Sequence, residues 1–306
     1  MRINALYVII KLAERCNLNC SYCYYYTPEN SEVYERASLM SDELLDQIIS
    51  YIDNAVGQNP VGRVVFGFHG GEPTLAKADR VRVFCEEARR RLESRVVVRF
   101  ALQTNGVHIS KAWLKLITDE KMGVGISIDG EKPVHDLHRV DHKGRGSYDR
   151  VCDTLETLLP LSYANQIRLT ALSVMGPEFT GLNFYFHLVE KLGIRHIKLL
   201  FPDRTADMKM PDEELQALGQ MLCEVFDHWL LNDRGRIEVT LFDAVVRGIL
   251  AAQIRKREPD DGITIGFAVL SDGRVRIQDD YMIASDWFGK QRELFMKSSE
   301  FADYIG

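Results

Sequence analysis

Leu6–Cys23, "LYVIIKLAERCNLNCSYC", joins a short apolar run to a set of closely spaced cysteines. The run Leu6–Leu12 is rich in β-branched and aromatic residues and is typical of a buried strand. The cysteines that follow it are Cys16, Cys20 and Cys23. A structural zinc ion takes four ligands, here completed by His69, whereas a cubane cluster on three thiolates leaves one iron open. The spacing alone leaves both interpretations open.

The composition of the chain argues against a nucleic-acid-binding protein and against a membrane-spanning one. The chain has 306 residues and a net charge of −6, from 38 basic and 44 acidic residues, so no nucleic-acid footprint is expected. The apolar runs are far too short to span a bilayer, so no membrane is expected either. The N-terminal stretch lacks a signal-peptide cleavage site, which favours a cytoplasmic location. In that reducing compartment, crowded cysteines indicate a metal site rather than disulfides.

Strand and helix patterns alternate along the first two thirds of the chain. Between the strands lie helical periods, such as the one that begins after Ser41 as N-cap and the one that ends near Gly193. Strand–helix units in series predict an α/β fold with a parallel sheet and catalytic groups in the loops after the strands. The predicted strands are Leu6–Leu12, Val64–Phe68, Val96–Leu102, Val124–Ile128, Ile167–Val174 and His196–Phe201.

Unusual short motifs follow the first four predicted strands. The cysteine loop follows the first, "HGGEPTL" the second, "QTNGVHIS" the third and "SIDGEKPVHDLHR" the fourth. Because the carboxyl ends of parallel strands meet at one rim, these motifs are expected to form one site.

Together these motifs resemble those of the radical S-adenosylmethionine (SAM) superfamily. Cys16-x3-Cys20-x2-Cys23, with Tyr22 before the last cysteine, is similar to its cluster signature, and "GGEP" is similar to its methionine-binding motif. "QTNG" and "SIDG" are similar to the branch of anaerobic sulfatase-maturating enzymes and maturases of ribosomally made peptides. The resemblance implies a partial (β/α)6 TIM-like barrel over residues 1–205.

The resemblance also implies roles for individual residues. The three cysteines would hold one [4Fe–4S] cluster, whose open iron would bind S-adenosylmethionine. Tyr22 would lie along the adenine of that cofactor. The residues implied to contact the cofactor elsewhere are Gly70, Gly71 and Glu72 at its amino group, Asn105 and Ser127 at its ribose or carboxylate, and Asp129 and Arg139. For Asp129 a plain turn, and for Arg139 a surface ion pair, are the alternatives.

Residues 206–306 are expected to form a helical connection and a small α+β appendage, with a hairpin around Ser271-Asp272-Gly273. The appendage resembles the family's SPASM or twitch extension without its cysteines. Ile263 and Ile265 stand where two cysteines would be, and Gln278 replaces another, so no auxiliary cluster is expected. Asp279 aligns with a family base and is the predicted catalytic residue. Cys223, at helical spacing, is expected in the core, with a hydrogen-donor role as the alternative.

The function implied by the resemblance is radical modification of a peptide. A 5′-deoxyadenosyl radical would remove a hydrogen atom from a side-chain carbon of a precursor peptide, leading to a cross-link such as a cyclophane. The implied partners are a flavodoxin- or ferredoxin-type electron donor and a separate leader-peptide recognition protein. The alternatives are epimerisation or another oxidation of a peptide residue, radical chemistry on a small molecule, and a non-enzymatic zinc protein.

Overall fold

The computed structural model describes residues 2–26, 32–176, 178–179, 181–202, 210–254, 262–276 and 294–295. Within these residues, one continuous sheet contains ten strands. They are β1 (Ile3–Ala13), β2 (Arg63–Gly70), β3 (Val97–Thr104), β4 (Gly123–Ser127), β5 (Arg168–Val174), β6 (His196–Leu200), β7 (Glu238–Val239), β8 (Ile263–Val269), β9 (Arg274–Arg276) and β10 (Leu294–Phe295). All six strands predicted from the sequence are present, with ends that differ by a few residues.

The sheet order is β10-β9-β8-β1-β2-β3-β4-β5-β6-β7. Strands β1 to β7 are parallel and lie in chain order, as expected for a partial (β/α)6 barrel. On its other side β1 pairs with β8, again in parallel, so Leu6 lies between Val64 and Ile265. The hairpin predicted at Ser271–Gly273 is confirmed, because β8 and β9 are antiparallel and Gly273 adopts φ 88° at the turn. The α/β fold with a parallel sheet is therefore confirmed.

Helices alternate with the strands along the chain. They are α1 (Glu32–Glu35), α2 (Asp42–Gln58), α3 (Ala78–Leu92), α4 (Lys111–Asp119), α5 (Lys132–His138), α6 (Tyr148–Tyr163), α7 (Gly181–Phe186), α8 (Asp212–His228) and α9 (Thr240–Ile254). Ser41 caps α2 as predicted, since its side chain accepts the Leu44 N–H. Wider π-type turns at His187–Lys191 and Trp229–Asp233 extend α7 and α8.

The two faces of the sheet differ in chemistry because successive side chains of a strand alternate. One face is apolar and packs beneath the helices, where Phe66 meets Phe84 and Phe100 at ring-centroid distances of 5.1 and 6.0 Å. On the other face, polar residues stand at or near the carboxyl ends of four strands. They are Lys11, His69, Gln103 and Ser127.

The region after β6 contains one correction. Cys223 is exposed, so its predicted core position is wrong. The buried face of α8 is formed by Leu218, Met221 and Val225, and Cys223 lies off that line. The predicted domain boundary near residue 205 falls outside the described residues.

Among the described helices, none combines the length and the apolar composition that crossing a membrane requires.

Candidate active site at the carboxyl ends of the strands

The cysteine loop leaves β1 and is anchored along the segment that follows β4. The Asn19 N–H donates to the Val140 carbonyl at 2.7 Å, and the Ser21 N–H donates to the His138 carbonyl at 3.1 Å. The loop closes with a hydrogen bond from the Cys23 N–H to the Cys20 carbonyl and a 3-10 turn over Tyr24–Tyr26. These bonds hold the three thiols on one short, backbone-supported loop.

The three thiols are half-buried and their surroundings suit a metal cluster. The Sγ atom of Cys16 accepts the Leu18 N–H at 3.4 Å and the Asn105 side-chain amide at 3.6 Å. Burial raises the pKa of Cys16 to about 12, and it also raises the pKa of Cys20. Thiols in such a place ionise when a bound cation supplies the compensating charge, as iron would.

The described residues contain no group of three Cys, His, Asp or Glu side chains that converges on one ion. A single zinc ion needs such convergence, whereas a cubane cluster takes each thiolate on a different iron. His69, the proposed fourth zinc ligand, instead accepts the Gly70 N–H at its Nδ1 atom, 2.7 Å away, and Lys11 Nζ lies 3.3 Å from the same atom. The part of the chain that the structure describes therefore does not form the closed zinc site in which His69 is the fourth ligand.

Tyr22, Asp129 and Arg139 form one hydrogen-bonded group near Cys20, in which Asp129 and Arg139 are buried and Tyr22 is half-buried. The Tyr22 hydroxyl donates to Asp129 Oδ2 and accepts from Arg139 Nη1 at 2.8 Å. The other carboxylate oxygen of Asp129 accepts the Val174 N–H at 3.0 Å, which ties the end of β4 to the end of β5. Burial raises the pKa of Asp129, while the charge of Arg139 acts in the opposite direction. The Nε atom of Arg139 is buried and has no hydrogen-bond partner among the described residues, so this guanidinium has a donor left for a ligand.

The two glycines of "GGEP" allow β2 to end against the start of the cysteine loop. Gly70 has φ 126°, a region that side chains strongly disfavour, and a methyl group there would overlap the Ala13 carbonyl. A methyl group on Gly71 would overlap both the Arg15 carbonyl and the Tyr26 hydroxyl. The close approach that these glycines permit is therefore, in the first place, to the protein's own backbone.

Glu72 is fully buried and links "GGEP" to "QTNG". Its Oε1 atom accepts from the Thr74 N–H at 3.0 Å, the Thr74 hydroxyl at 2.7 Å and the Thr104 hydroxyl at 2.8 Å. Its Oε2 atom accepts the Asn105 N–H at 2.7 Å. Burial raises the pKa of Glu72, and these four donors act in the opposite direction. These bonds give the Glu72 carboxylate a structural role in joining the two loops.

Asn105 and Ser127 lie at the ends of β3 and β4. Besides its contact with Cys16, the Asn105 amide donates to Asn17 Oδ1 at 2.7 Å, and its carbonyl oxygen accepts the Val107 N–H. The Ser127 hydroxyl accepts from the Gln103 amide at 3.2 Å. The structure thus brings Asn105 to the cysteines, whereas Ser127 stands on the polar face of the sheet.

Glu14 is a residue that sequence reasoning missed. It is fully buried, and it accepts from the Tyr25 hydroxyl, from Arg36 and, at 3.1 Å, from the Ser271 N–H. Lys11 lies on the other side of Tyr25, with its ammonium 4.4 Å from the ring centroid. The only sequence signal for these residues was a charge at the end of an otherwise apolar strand. Asp279 lies outside the described residues, so its role stays a prediction.

Residues 10–182 match the family model of the radical SAM superfamily. The chain belongs to this superfamily. Radical SAM enzymes use a [4Fe–4S] cluster and S-adenosylmethionine, so this chain is an enzyme with those cofactors, and the non-enzymatic alternative is wrong.

Known radical SAM proteins resemble the chain over nearly its whole length. A cysteine-type anaerobic sulfatase-maturating enzyme of Clostridium perfringens is 27% identical over 297 residues, covering 95% of this chain and 79% of the relative. A serine-type enzyme of Bacteroides thetaiotaomicron is 26% identical, covering 81% of this chain and 63% of the relative.

Solved structures give the same result. The structure of native anSMEcpe with bound AdoMet and the Cp18Cys peptide has a TM-score of 0.77 and 25% identity, covering 98% of this chain and 80% of that chain. Streptococcus suis SuiB bound to its precursor peptide SuiA has a TM-score of 0.64 and 15% identity, covering 98% of this chain and 64% of that chain. At that identity the likeness to SuiB shows the fold alone.

Proposed function

We propose that this radical SAM enzyme modifies a residue within a peptide. The observation that carries the proposal is the similarity over 95% of the chain to a sulfatase-maturating enzyme, together with the likeness to anSMEcpe with a bound peptide. The extent of the match supports a shared substrate class, because it includes the C-terminal strands as well as the barrel.

The proposed cluster ligands are Cys16, Cys20 and Cys23. The other cysteines, Cys85, Cys152 and Cys223, lie apart on α3, α6 and α8, which supports a single cluster. S-adenosylmethionine is proposed to lie between the cluster and the polar face of the sheet. Its amino group would meet the backbone at Gly70–Glu72, and its carboxylate is a suitable acceptor for the unpaired donor of Arg139.

When bound, the cluster and S-adenosylmethionine supply a carbon-centred radical that removes a hydrogen atom from the substrate. The protein has to aim one C–H bond at that position and keep water out. Lys11, His69 and Gln103 stand on the polar face beside the site and are the proposed contacts of the substrate.

The proposed outcome is a cross-link within a ribosomally made precursor peptide. Ile263 and Ile265, which stand where the resemblance would place cysteines, are built into β8 beside β1. Asp279 remains the proposed base, and epimerisation remains the alternative for the same substrate. The proposed partners are a flavodoxin- or ferredoxin-type electron donor and a leader-peptide recognition protein.

Sulfatase maturation is the second candidate. The names of the relatives favour it, because both the cysteine-type and the serine-type enzymes match this chain. In this case the modified residue would be a cysteine or serine of a sulfatase, with no new bond between side chains.

One experiment separates these outcomes. Anaerobically reconstituted enzyme is given S-adenosylmethionine, a reductant and either a precursor peptide or a sulfatase-derived peptide, in normal and in deuterated water. A peptide substrate should accelerate 5′-deoxyadenosine formation, and tandem mass spectrometry should show loss of two hydrogen atoms with fragments joined across the cross-link. Oxidised cysteine or serine without joined fragments indicates maturation, and deuterium without loss of hydrogen indicates epimerisation. The same slow 5′-deoxyadenosine formation with every peptide would refute a peptide substrate.

A further inference from the structure

Tyr26, at the end of the cysteine loop, has a hydroxyl group without a partner. The oxygen atom is buried and makes no hydrogen bond with any residue that the structure describes. The other tyrosines of the loop differ, since the hydroxyl of Tyr22 contacts Asp129 and Arg139, that of Tyr25 contacts Glu14, and that of Tyr24 lies 3.4 Å from Lys11 Nζ. A buried hydroxyl without a partner is unfavourable, so its place requires an explanation.

The position of this hydroxyl is well defined. The Tyr26 N–H donates to the Cys23 carbonyl at 3.3 Å, which fixes the backbone relative to the last cysteine. The ring packs against Tyr25 and Tyr34 at centroid distances of 5.4 and 6.1 Å. Its oxygen occupies the space where a methyl group on Gly71 would be. The hydroxyl therefore lies at the junction of the cysteine loop and "GGEP".

The groups around the hydroxyl indicate its intended acceptor. The nearby Arg15 carbonyl accepts the Glu72 N–H at 2.9 Å and makes no hydrogen bond with Tyr26. Tyr26 and Cys23 pack against the same small apolar cluster, and the Tyr26 N–H bonds to the Cys23 carbonyl, so Tyr26 lies beside the last cysteine of the loop. Because a phenol is a hydrogen-bond donor and a cluster bound at the cysteines supplies thiolate and sulfide acceptors, binding of the cluster would provide the missing partner.

We propose that the Tyr26 hydroxyl is a hydrogen-bond donor to the bound iron–sulfur cluster, at a cysteine thiolate or a cluster sulfide. The inference rests on the proposed cluster ligands Cys16, Cys20 and Cys23. A hydrogen bond to a cluster sulfur stabilises the more negative, reduced state and raises the reduction potential. Tyr26 is thus a positioning residue that adjusts the reduction potential of the cluster. Its unpaired hydroxyl lowers the stability of the cluster-free protein and gains a hydrogen-bond partner when the cluster binds.

The test compares Tyr26→Phe with wild type in both states. Without iron, the variant should unfold at the same temperature as wild type or a higher one, because it lacks the unpaired hydroxyl. After anaerobic reconstitution it should bind the same amount of iron but gain less thermal stability than wild type. Its reduction midpoint potential, followed by electron paramagnetic resonance, should be more negative. Tyr34→Phe is the matched control, because this exposed tyrosine packs on the same ring, and it should match wild type throughout.

The outcomes separate this inference from the site assignment. Equal gains in stability and equal potentials for wild type and Tyr26→Phe would overturn the role of Tyr26. A difference that arises only after S-adenosylmethionine is added would overturn the cluster as acceptor and point to the cofactor's carboxylate. Iron that persists in a Cys16/Cys20/Cys23→Ala triple variant would instead overturn the assigned ligands, whatever Tyr26→Phe does.

Discussion

His135 provides a sharp test of the buried network behind the cysteine loop. It is fully buried, and its Nδ1 atom accepts the Asp129 N–H at 3.3 Å. Its Nε2 N–H then donates a hydrogen bond to the Ser147 hydroxyl, 2.9 Å away, and that hydroxyl donates to the Arg139 carbonyl at 2.7 Å. Protonation of Nδ1 would place its N–H opposite the Asp129 N–H, so that two donors would face each other near the positive charge of Arg139. Burial, and then this charge, lower the pKa of His135 to about 3.

The effect on stability follows from this shift. A histidine in the unfolded chain has a pKa near 6.5, so the unfolded state binds a proton first as the pH falls. The contribution of His135 is complete above that pKa and is lost as the pH falls toward the folded-state value. Between pH 7 and pH 5 the loss of stability is about 2 kcal/mol. At pH 5 the protonated form of the unfolded histidine outnumbers its neutral form by about thirty to one, while the folded histidine stays neutral.

The assay is urea unfolding of the cluster-free protein at both pH values, for wild type and His135→Gln. Glutamine can still donate to Ser147 but does not titrate, so the variant should lose about 2 kcal/mol less than wild type between pH 7 and pH 5. His108→Gln is the control, since His108 is exposed, and its loss should equal that of wild type. If His135→Gln lost as much stability as wild type, His135 would not be held neutral by the fold.

Three further predictions concern the loops of the site. Gly71→Ala should abolish S-adenosylmethionine binding, measured by calorimetry, because the added methyl group overlaps the Arg15 carbonyl and the Tyr26 hydroxyl. Gly219→Ala is the control and should bind normally, because the space around Gly219 is open. Glu72→Gln should lower the free energy of unfolding in urea by about 1–3 kcal/mol, because its amide would face the Asn105 N–H; an unchanged midpoint would contradict this. Glu14→Gln should cost about 1–3 kcal/mol in the same assay, because it removes the buried carboxylate that faces Arg36 and leaves this guanidinium, among the described carboxylates, only the partly exposed Glu32, at 3.4 Å. A cost as small as that of a surface pair, below about 1 kcal/mol, would show that Arg36 finds another partner.

Strand content and the order of the motifs were predictable from the sequence because both are local. The Leu6–Leu12 pattern identifies a strand, and Cys16 follows it by chain connectivity alone. The partner of Ile265 was not predictable, since a strand's alternation does not say which neighbour it pairs with. The structure places it beside Leu6, in the same sheet as the barrel strands.

Within the site, residue types were easier to predict than their partners. Glu72 was expected at the cofactor, yet its carboxylate is occupied by Thr74, Thr104 and Asn105. Such a network depends on three loops meeting in space, which a single sequence does not reveal. Cys223 shows the opposite error, because it lies on the side of α8 opposite the buried Leu218, Met221 and Val225, and helical spacing alone does not say which side of a helix faces the core.

The contact between Glu14 and Ser271 has a consequence for the biosynthesis of the enzyme. The two residues are 257 positions apart, yet their hydrogen bond supports Tyr25 in the cysteine loop. At roughly 5–20 residues per second, a ribosome needs about 13–50 s to make the intervening chain. Throughout that interval the nascent loop has all three cysteines but lacks one of its buried supports. A cluster delivered after synthesis would bind a loop that is supported by the Glu14–Ser271 hydrogen bond. A cluster delivered during translation would bind a loop that does not yet have this support.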